Sequence, residues 1–277
     1  MSGAEKRGYL NENFKLFHIF DKRAMDFDSH SHDFHKLIIC LRGSVTYIIE
    51  GKTYSLSPWD VLLVPKDKIH HSKTDALMAY ERFVLFISDS FLSSLGTDGT
   101  LSECFLRAAD CGKCLYHASA SFRQNISESV LALEEAISSS DGYANVLLAD
   151  AAFVRLMVYI NRLVIEDKGL EGAIADEKLD GIISYINTHF SEDLSIDSLS
   201  QKFYISRSGL MHKFKTVTGG SVHSYITQKR LSAALSMLRD GASASHAAHS
   251  CGFSDYTVFY KSFKKTYGYP PGDAISK

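Results

Sequence analysis

Two stretches near the C-terminal end of this 277-residue chain follow one short plan, and that repetition restricts the fold more than any other feature. In the first, Ile196, Leu199 and Phe203 mark a short helix capped by Ser195. Ser206 caps the next helix, where Leu210 and Phe214 are buried four residues apart. In the second, residues 242–249 form a short segment rich in small side chains, and Cys251-Gly252-Phe253 supplies a glycine turn. Ser254 or Asp255 then caps a helix whose buried pair is Phe259 and Phe263. Residues 221–239 join the two as a long amphipathic connector with Ile226, Leu231, Ala234, Leu235 and Leu238 inward. Two short helices with a tight turn between them, the second exposing basic and hydrogen-bonding side chains, make the helix-turn-helix plan.

Charge follows the same division. Residues 1–176 carry 18 Lys/Arg against 24 Asp/Glu, net −6, and residues 177–277 carry 12 against 8, net +4. No acid occurs between Asp197 and Asp240, an interval holding Lys202, Arg207, Lys213, Lys215, Lys229, Arg230 and Arg239. A solvated helical stretch normally mixes signs, so this one points to a polyanionic partner or to a tolerated local imbalance. Residues 166–176, with two glycines and several acids, read as a linker between domain 1–165 and domain 177–277.

Gly252-Phe253-Ser254-Asp255, Phe259, Phe263-Lys264-Lys265, Gly268 and Pro270-Pro271 resemble the signature of AraC/XylS-type transcription regulators. Leu210, Phe214-Lys215, Thr218-Gly219, Tyr225 and Arg230-Leu231 fit the same pattern. Ala244 and Ala247 depart from the isoleucines usual there, and His212 stands at a common arginine position. The resemblance implies two helix-turn-helix units on a rigid connector, each placing a helix in the major groove of double-stranded promoter DNA, about 34 Å apart. Arg207, Lys215, Lys261 and Lys264 would then mostly bind phosphates, while Ser208, Met211, His212, Tyr256, Thr257 and Tyr260 are candidates for base edges. Regulators of this type commonly activate, which would make RNA polymerase a further partner.

In the first domain the periodicity is that of strands. Strand-like segments at 37–41, 45–50, 52–56, 61–64 and 83–87 are broken by Gly43, Glu50-Gly51, Ser57-Pro58-Trp59 and Pro65, which predicts a jelly-roll sandwich or barrel. Beyond Ser88 the period becomes helical: Ile126, Val130, Leu133 and Ile137 share a face, and residues 144–165 are apolar around most of their circumference. Such a helix needs cover on both sides, either within the chain or from a second copy in a homodimer. The expected class is therefore α+β with two domains: an N-terminal cupin-like β-barrel plus helices, and a C-terminal all-α domain with two helix-turn-helix units.

His30-Ser31-His32 and, further on, Pro65 and His70 resemble the two cupin motifs, with Lys36 where a glutamate is expected and Trp59 and Asp67 where glycines are. In an extended strand His30, His32 and Lys36 share a face and point inward, whereas His35 points outward. An ammonium opposes a metal ion and offers it no lone pair, so no metal and no cofactor is expected. His30, His32, Lys36 and His70 read instead as a pocket for a small-molecule effector, a sugar or sugar acid for example. An effector-independent regulator with a structural barrel and a metal-dependent cupin enzyme remain as alternatives.

Five cysteines are too few and too uneven for a disulfide framework, and Cys111-Gly112-Lys113-Cys114 reads as a helix-to-strand turn with incidental thiols. There is no run of about 18 uncharged apolar residues, and the first 15 residues lack the apolar stretch of a secretory leader. A cytoplasmic protein away from membranes, and not an enzyme, is expected.

Overall fold

Eight antiparallel strands occupy the first part of the chain: β1 (Phe14–Asp21), β2 (His35–Arg42), β3 (Val45–Ile49), β4 (Lys52–Leu56), β5 (Asp60–Val64), β6 (His70–Thr74), β7 (Tyr80–Ile87) and β8 (Leu115–His117). They come from a computed structural model that describes residues 10, 12–22, 29–74, 79–95, 99–138, 142–167 and 176–274. The strands form a five-stranded sheet ordered β1-β7-β2-β5-β8 and a three-stranded sheet ordered β4-β3-β6. Side chains from both sheets share one apolar core. β5 is buried at all five positions, because helices cover the outer face of the larger sheet and leave no solvent side to alternate toward.

Those helices are α1 (Asp89–Ser94), α2 (Glu103–Cys111), α3 (Ala120–Ser138) and α4 (Asn145–Glu166). On α4, Phe153 stacks on Phe14 at 4.8 Å and meets Phe91 at 5.2 Å. Leu156, Met157, Ile160, Leu163 and Val164 are buried beside it. Asn161, the polar residue within this face, accepts from the Cys104 amide and donates to the carbonyls of Leu101 and Met157, so its burial costs little. Cover for α4 is thus intrachain along most of its length. Its first turn is the exception, with Val146, Leu147 and Leu148 exposed next to Tyr143. Ile137, expected on the inner face of α3, is 45% exposed.

The remainder is helical: α5 (Glu177–His189), α6 (Ile196–Lys202), α7 (Arg207–Thr218), α8 (Val222–Arg239), α9 (Ala244–Ser250) and α10 (Tyr256–Tyr267), closed by a short 3-10 turn at Pro271–Asp273. Every N-cap side chain from α5 to α10 accepts a backbone N–H, from Asp176, Ser195, Ser206, Ser221, Ser243 and Asp255 in turn. Two apolar clusters result. One gathers Leu179, Ile182, Ile186, Leu210, Phe214 and Tyr225, and the other gathers Leu231, Leu235, Ala247, Phe259, Phe263 and Tyr267. Ala247 is fully buried in the second cluster, and Ala244, the other alanine at a usual isoleucine position, is partly buried against it. Of the expected linker 166–176, residues 168–175 lie outside the described residues, as does the end of the chain from 275.

Candidate DNA-binding surface and effector site

α7 and α10 are built to one register. Each has a capping residue, a buried pair four and eight residues later, a lysine at nine and a left-handed glycine at thirteen: Ser206, Leu210, Phe214, Lys215 and Gly219 against Asp255, Phe259, Phe263, Lys264 and Gly268. The glycines, at φ 73° and 80°, let their N–H groups return to the carbonyls of Lys215 and Lys264 and end each helix. With the inner face fixed this way, Arg207, Ser208, Met211, His212 and Lys215 are exposed on α7, and Tyr256, Thr257, Tyr260, Lys261 and Lys264 occupy the same five positions on α10, also exposed. Val258, 54% exposed on α10, is an added apolar side chain that periodicity alone did not single out.

The cations of the acid-free stretch do not share one fate. Arg230 donates to the carbonyls of Phe190 and Glu192, tying down the end of α5. Lys202 lies 4.4 Å from the centre of the Tyr185 ring. Arg207 pairs with Asp197 at 3.0 Å and Lys213 with Asp176 at 2.9 Å, both at the surface, where such pairs are weak. Lys229 and Arg239 are paired with Glu50 and Asp33 of the β-rich domain. The Lys215 ammonium has no partner among the described residues. The polyanion that the charge pattern called for is therefore, in part, the acidic first domain.

His30, His32 and His70 are brought together, with ring centres 4.5 Å (His30–His70), 4.8 Å (His32–His70) and 6.1 Å (His30–His32) apart. An extended strand is not what aligns them. β2 starts only at His35, and His30 instead forms an isolated bridge to His70. Nδ1 of His32 lies 2.6 Å from the Phe34 carbonyl and Nδ1 of His70 lies 2.9 Å from that of Lys68, so both nitrogens carry the proton. Burial first, then the charges of Lys36 and the neighbouring imidazoles, holds both pKa values well below the usual histidine value. Each ring is thus neutral, and its buried Nε2 is a lone pair with no hydrogen-bond partner among the described residues. At Nε2, His32 and His70 are therefore acceptors. Lys36, half-buried, holds its ammonium 5.5 Å from the Phe86 ring centre. Among the described residues, no group of three His, Cys, Asp or Glu side chains is arranged to hold a metal ion.

His35 does leave this face, as parity requires, but it is not solvated. It stacks on Phe105 at 4.3 Å, its Nε2 lies 3.1 Å from Asp89, and its Nδ1 accepts from the Lys66 amide. Trp59 and Asp67, which replace the cupin glycines, adopt left-handed backbones at φ 70° and 64°. The turn geometry that favours glycine is retained by side chains that tolerate it at a cost. Cys111 and Cys114 flank Gly112, whose φ of 62° ends α2 just before β8, and burial pushes the Cys114 thiol up to about 11. A cavity of about 630 Å³ opens along the seam between the two domains, walled by Asp33, Phe34, Lys66 and Asp67 on one side and Ser232 and Arg239 on the other. None of the four expected effector residues lines it.

A β-rich domain carrying a buried polar cluster, joined to two helix-turn-helix units with matching exposed faces, defines a DNA-binding transcription regulator with its own sensor. Comparison with known proteins sharpens this. The AraC-like ligand binding domain family matches residues 17–155, and a helix-turn-helix domain family matches residues 199–276. The chain belongs to the AraC family. It is 27% identical over 255 residues to the HTH-type transcriptional activator RhaS of Escherichia fergusonii, covering 88% of this chain and 86% of that one. The RhaS protein of Salmonella schwarzengrund is 28% identical over 251 residues, with 89% and 87% covered. A structure of ToxT from Vibrio cholerae aligns over 96% of this chain and 98% of that one at 16% identity, with a TM-score of 0.37. No helix among the described residues is long and apolar enough to cross a membrane.

Proposed function

We propose that this chain binds promoter DNA through α7 and α10, activates transcription in contact with RNA polymerase, and responds to a small molecule held by the β-rich domain. It works in the cytoplasm and has no enzymatic activity of its own. The sensor is domain 1–165, the linker 166–176, and the DNA-binding domain 177–277. The observation that carries the reading is the shared register of the two helices, which exposes the same five positions on each. Arg207, Lys215, Lys261 and Lys264 contact phosphates, and Ser208, Met211, His212, Tyr256, Thr257 and Tyr260 face the bases. Titrating the purified protein into labelled fragments of the genome it comes from, with fluorescence anisotropy at modest ionic strength, should give saturable binding and a footprint of about two helical turns. A flat curve across the pool would overturn the assignment.

The effector site is His30, His32, Lys36 and His70. Two neutral imidazoles, whose Nε2 atoms have no partner among the described residues, accept from ligand hydroxyls, and Lys36 offers a cation to an acidic group, which suits a sugar or sugar acid. Lys36→Glu should weaken the response to a sugar acid and leave a neutral sugar unaffected; an unchanged response to the acid would remove Lys36 from the site. The exposed Tyr143, Val146, Leu147 and Leu148 at the start of α4 support a homodimer through that end of the helix. Analytical ultracentrifugation of Leu147→Glu should then report a monomer.

A further inference from the structure

The sequence marks Glu50-Gly51 only as a turn between two strands. Glu50 is instead the most heavily partnered carboxylate in the described chain. Glu50 and Gly51 adopt left-handed backbones at φ 49° and 82°, and the tip enters a socket between α5 and α8. One Glu50 oxygen accepts from the Ile69 amide at 2.7 Å and the Lys229 ammonium at 2.8 Å. The other accepts from the Asn187 amide at 2.5 Å and the Tyr225 hydroxyl at 3.0 Å. Burial, the largest single influence, would raise this carboxyl, but the charge and hydrogen bond of Lys229, the Lys68 charge and the Ile69 amide together hold it below the usual range. Gly51 lies so close to α5 that a Cβ there would stand 2.3 Å from the end of Ile183. Ile69, beside the tip, completes the apolar cluster of the first helix-turn-helix unit.

The tip is one end of a longer contact. Along α8, Gln228 donates to the Ser29 carbonyl at 3.1 Å, Ser232 bonds Asp67, and Arg239 pairs with Asp33. With Tyr225 and Lys229 these residues form a stripe on the helix that carries both recognition units. The stripe is ionic and hydrogen-bonded, and the second unit's apolar cluster contains no residue of the sensor. Apolar contact across the seam is concentrated at the tip, where Ile69 joins the first unit's cluster and Gly51 lies against Ile183. While seated, the sensor neutralises Lys229 and Arg239 and holds a domain of net −6 against one of net +4. DNA approaching α7 and α10 meets that negative field as well as the basic one.

We propose that the Glu50-Gly51 hairpin tip is a releasable clasp that restrains DNA binding, and that its withdrawal from the α5–α8 socket raises the affinity of the chain for DNA. The inference rests on the family's DNA binding and not on which molecule the sensor holds. The test uses the full chain and a labelled mixed-sequence duplex of about 40 base pairs, four helical turns. Glu50→Lys is compared with Glu103→Lys, a surface reversal on α2 that changes net charge equally.

Glu50→Lys should bind DNA about tenfold more tightly than wild type, a typical interdomain coupling, and lose hydrogen-exchange protection in α5 and the first half of α8. Glu103→Lys should do neither. Glu50→Lys with Lys229→Glu restores the ion pair with its signs exchanged but not the acceptor for Ile69, Asn187 and Tyr225, so it should recover part of the protection and of the weak binding. Glu50→Gln keeps an acceptor for Asn187 and Tyr225 but loses the charge facing Lys229; it should give a smaller rise if the reversal prevents folding. Unchanged protection in Glu50→Lys, or lost protection with an affinity no higher than that of Glu103→Lys, would overturn the clasp.

Discussion

Stability should fall between pH 7.5 and 5.5 through two buried imidazoles, His32 and His70. Both have folded pKa values held well below the unfolded 6.5, chiefly by burial. Below 6.5 the unfolded chain therefore binds protons that the folded chain refuses, so stability is complete above that value and declines as pH drops. For a ring that stays neutral when folded, the loss is negligible at pH 7.5 and on the order of 1 kcal/mol at pH 5.5. Two rings together cost a few kcal/mol, a large share of the roughly 5–15 kcal/mol that holds a domain folded. Asp67, whose carboxyl is raised by burial, works in the opposite sense, toward the carboxylate range.

Urea midpoints at the two pH values, at constant ionic strength, measure the effect. His32→Asn/His70→Asn keeps an N–H for the carbonyls of Phe34 and Lys68 but cannot titrate. It should be less stable than wild type at pH 7.5 and nearly flat across the window. If the double variant loses as much stability as wild type between those pH values, the histidines are not responsible and the neutral-acceptor account of the site is wrong.

Lys215→Ala and Lys261→Ala should each flatten the logarithmic salt dependence of DNA affinity by about one unit, because each removes one phosphate contact; an unaltered slope would argue against that role. Arg230→Met should cost about 1–3 kcal/mol in unfolding experiments by orphaning the carbonyls of Phe190 and Glu192, while the salt slope stays as in wild type. Phe259→Ala should destabilise by about 3–5 kcal/mol, since the ring is fully buried in the second unit's core, and near-wild-type melting would show that the core repacks. Tyr204, 90% exposed at φ 50°, bears a left-handed cost of about 1–2 kcal/mol; glycine there should give a net gain of about 0.5 kcal/mol after its own chain entropy, read as a higher Tm.

The helical domain was legible residue by residue because its determinants are local. A capping side chain, an apolar pair four apart and a closing glycine lie within one helix, so Ser206, Leu210, Phe214 and Gly219 announce α7 before any packing is known. Five strands, apolar throughout or alternating and bounded by turn residues, were legible for the same reason. β6, with the sequence His70-His71-Ser72-Lys73-Thr74, has no apolar pattern to read, and the three-residue β8 is too short to show one. Both are strands because neighbours supply their hydrogen bonds. His35 leaves by the face parity gives, but parity does not say what covers that face; α1 and α2 do.

What the amino-acid order determined by itself was the kind of domain at each end, the ten exposed positions on the recognition helices, and a separation of charge between the halves. Only the tertiary structure decided how that charge is used. Whether Glu50 is a solvated turn residue or a buried anchor depends on side chains 137 to 179 residues away along the chain. Periodicity and capping act over a few residues, whereas burial and ion pairing across a seam are set by which surfaces meet, and no local pattern encodes that meeting.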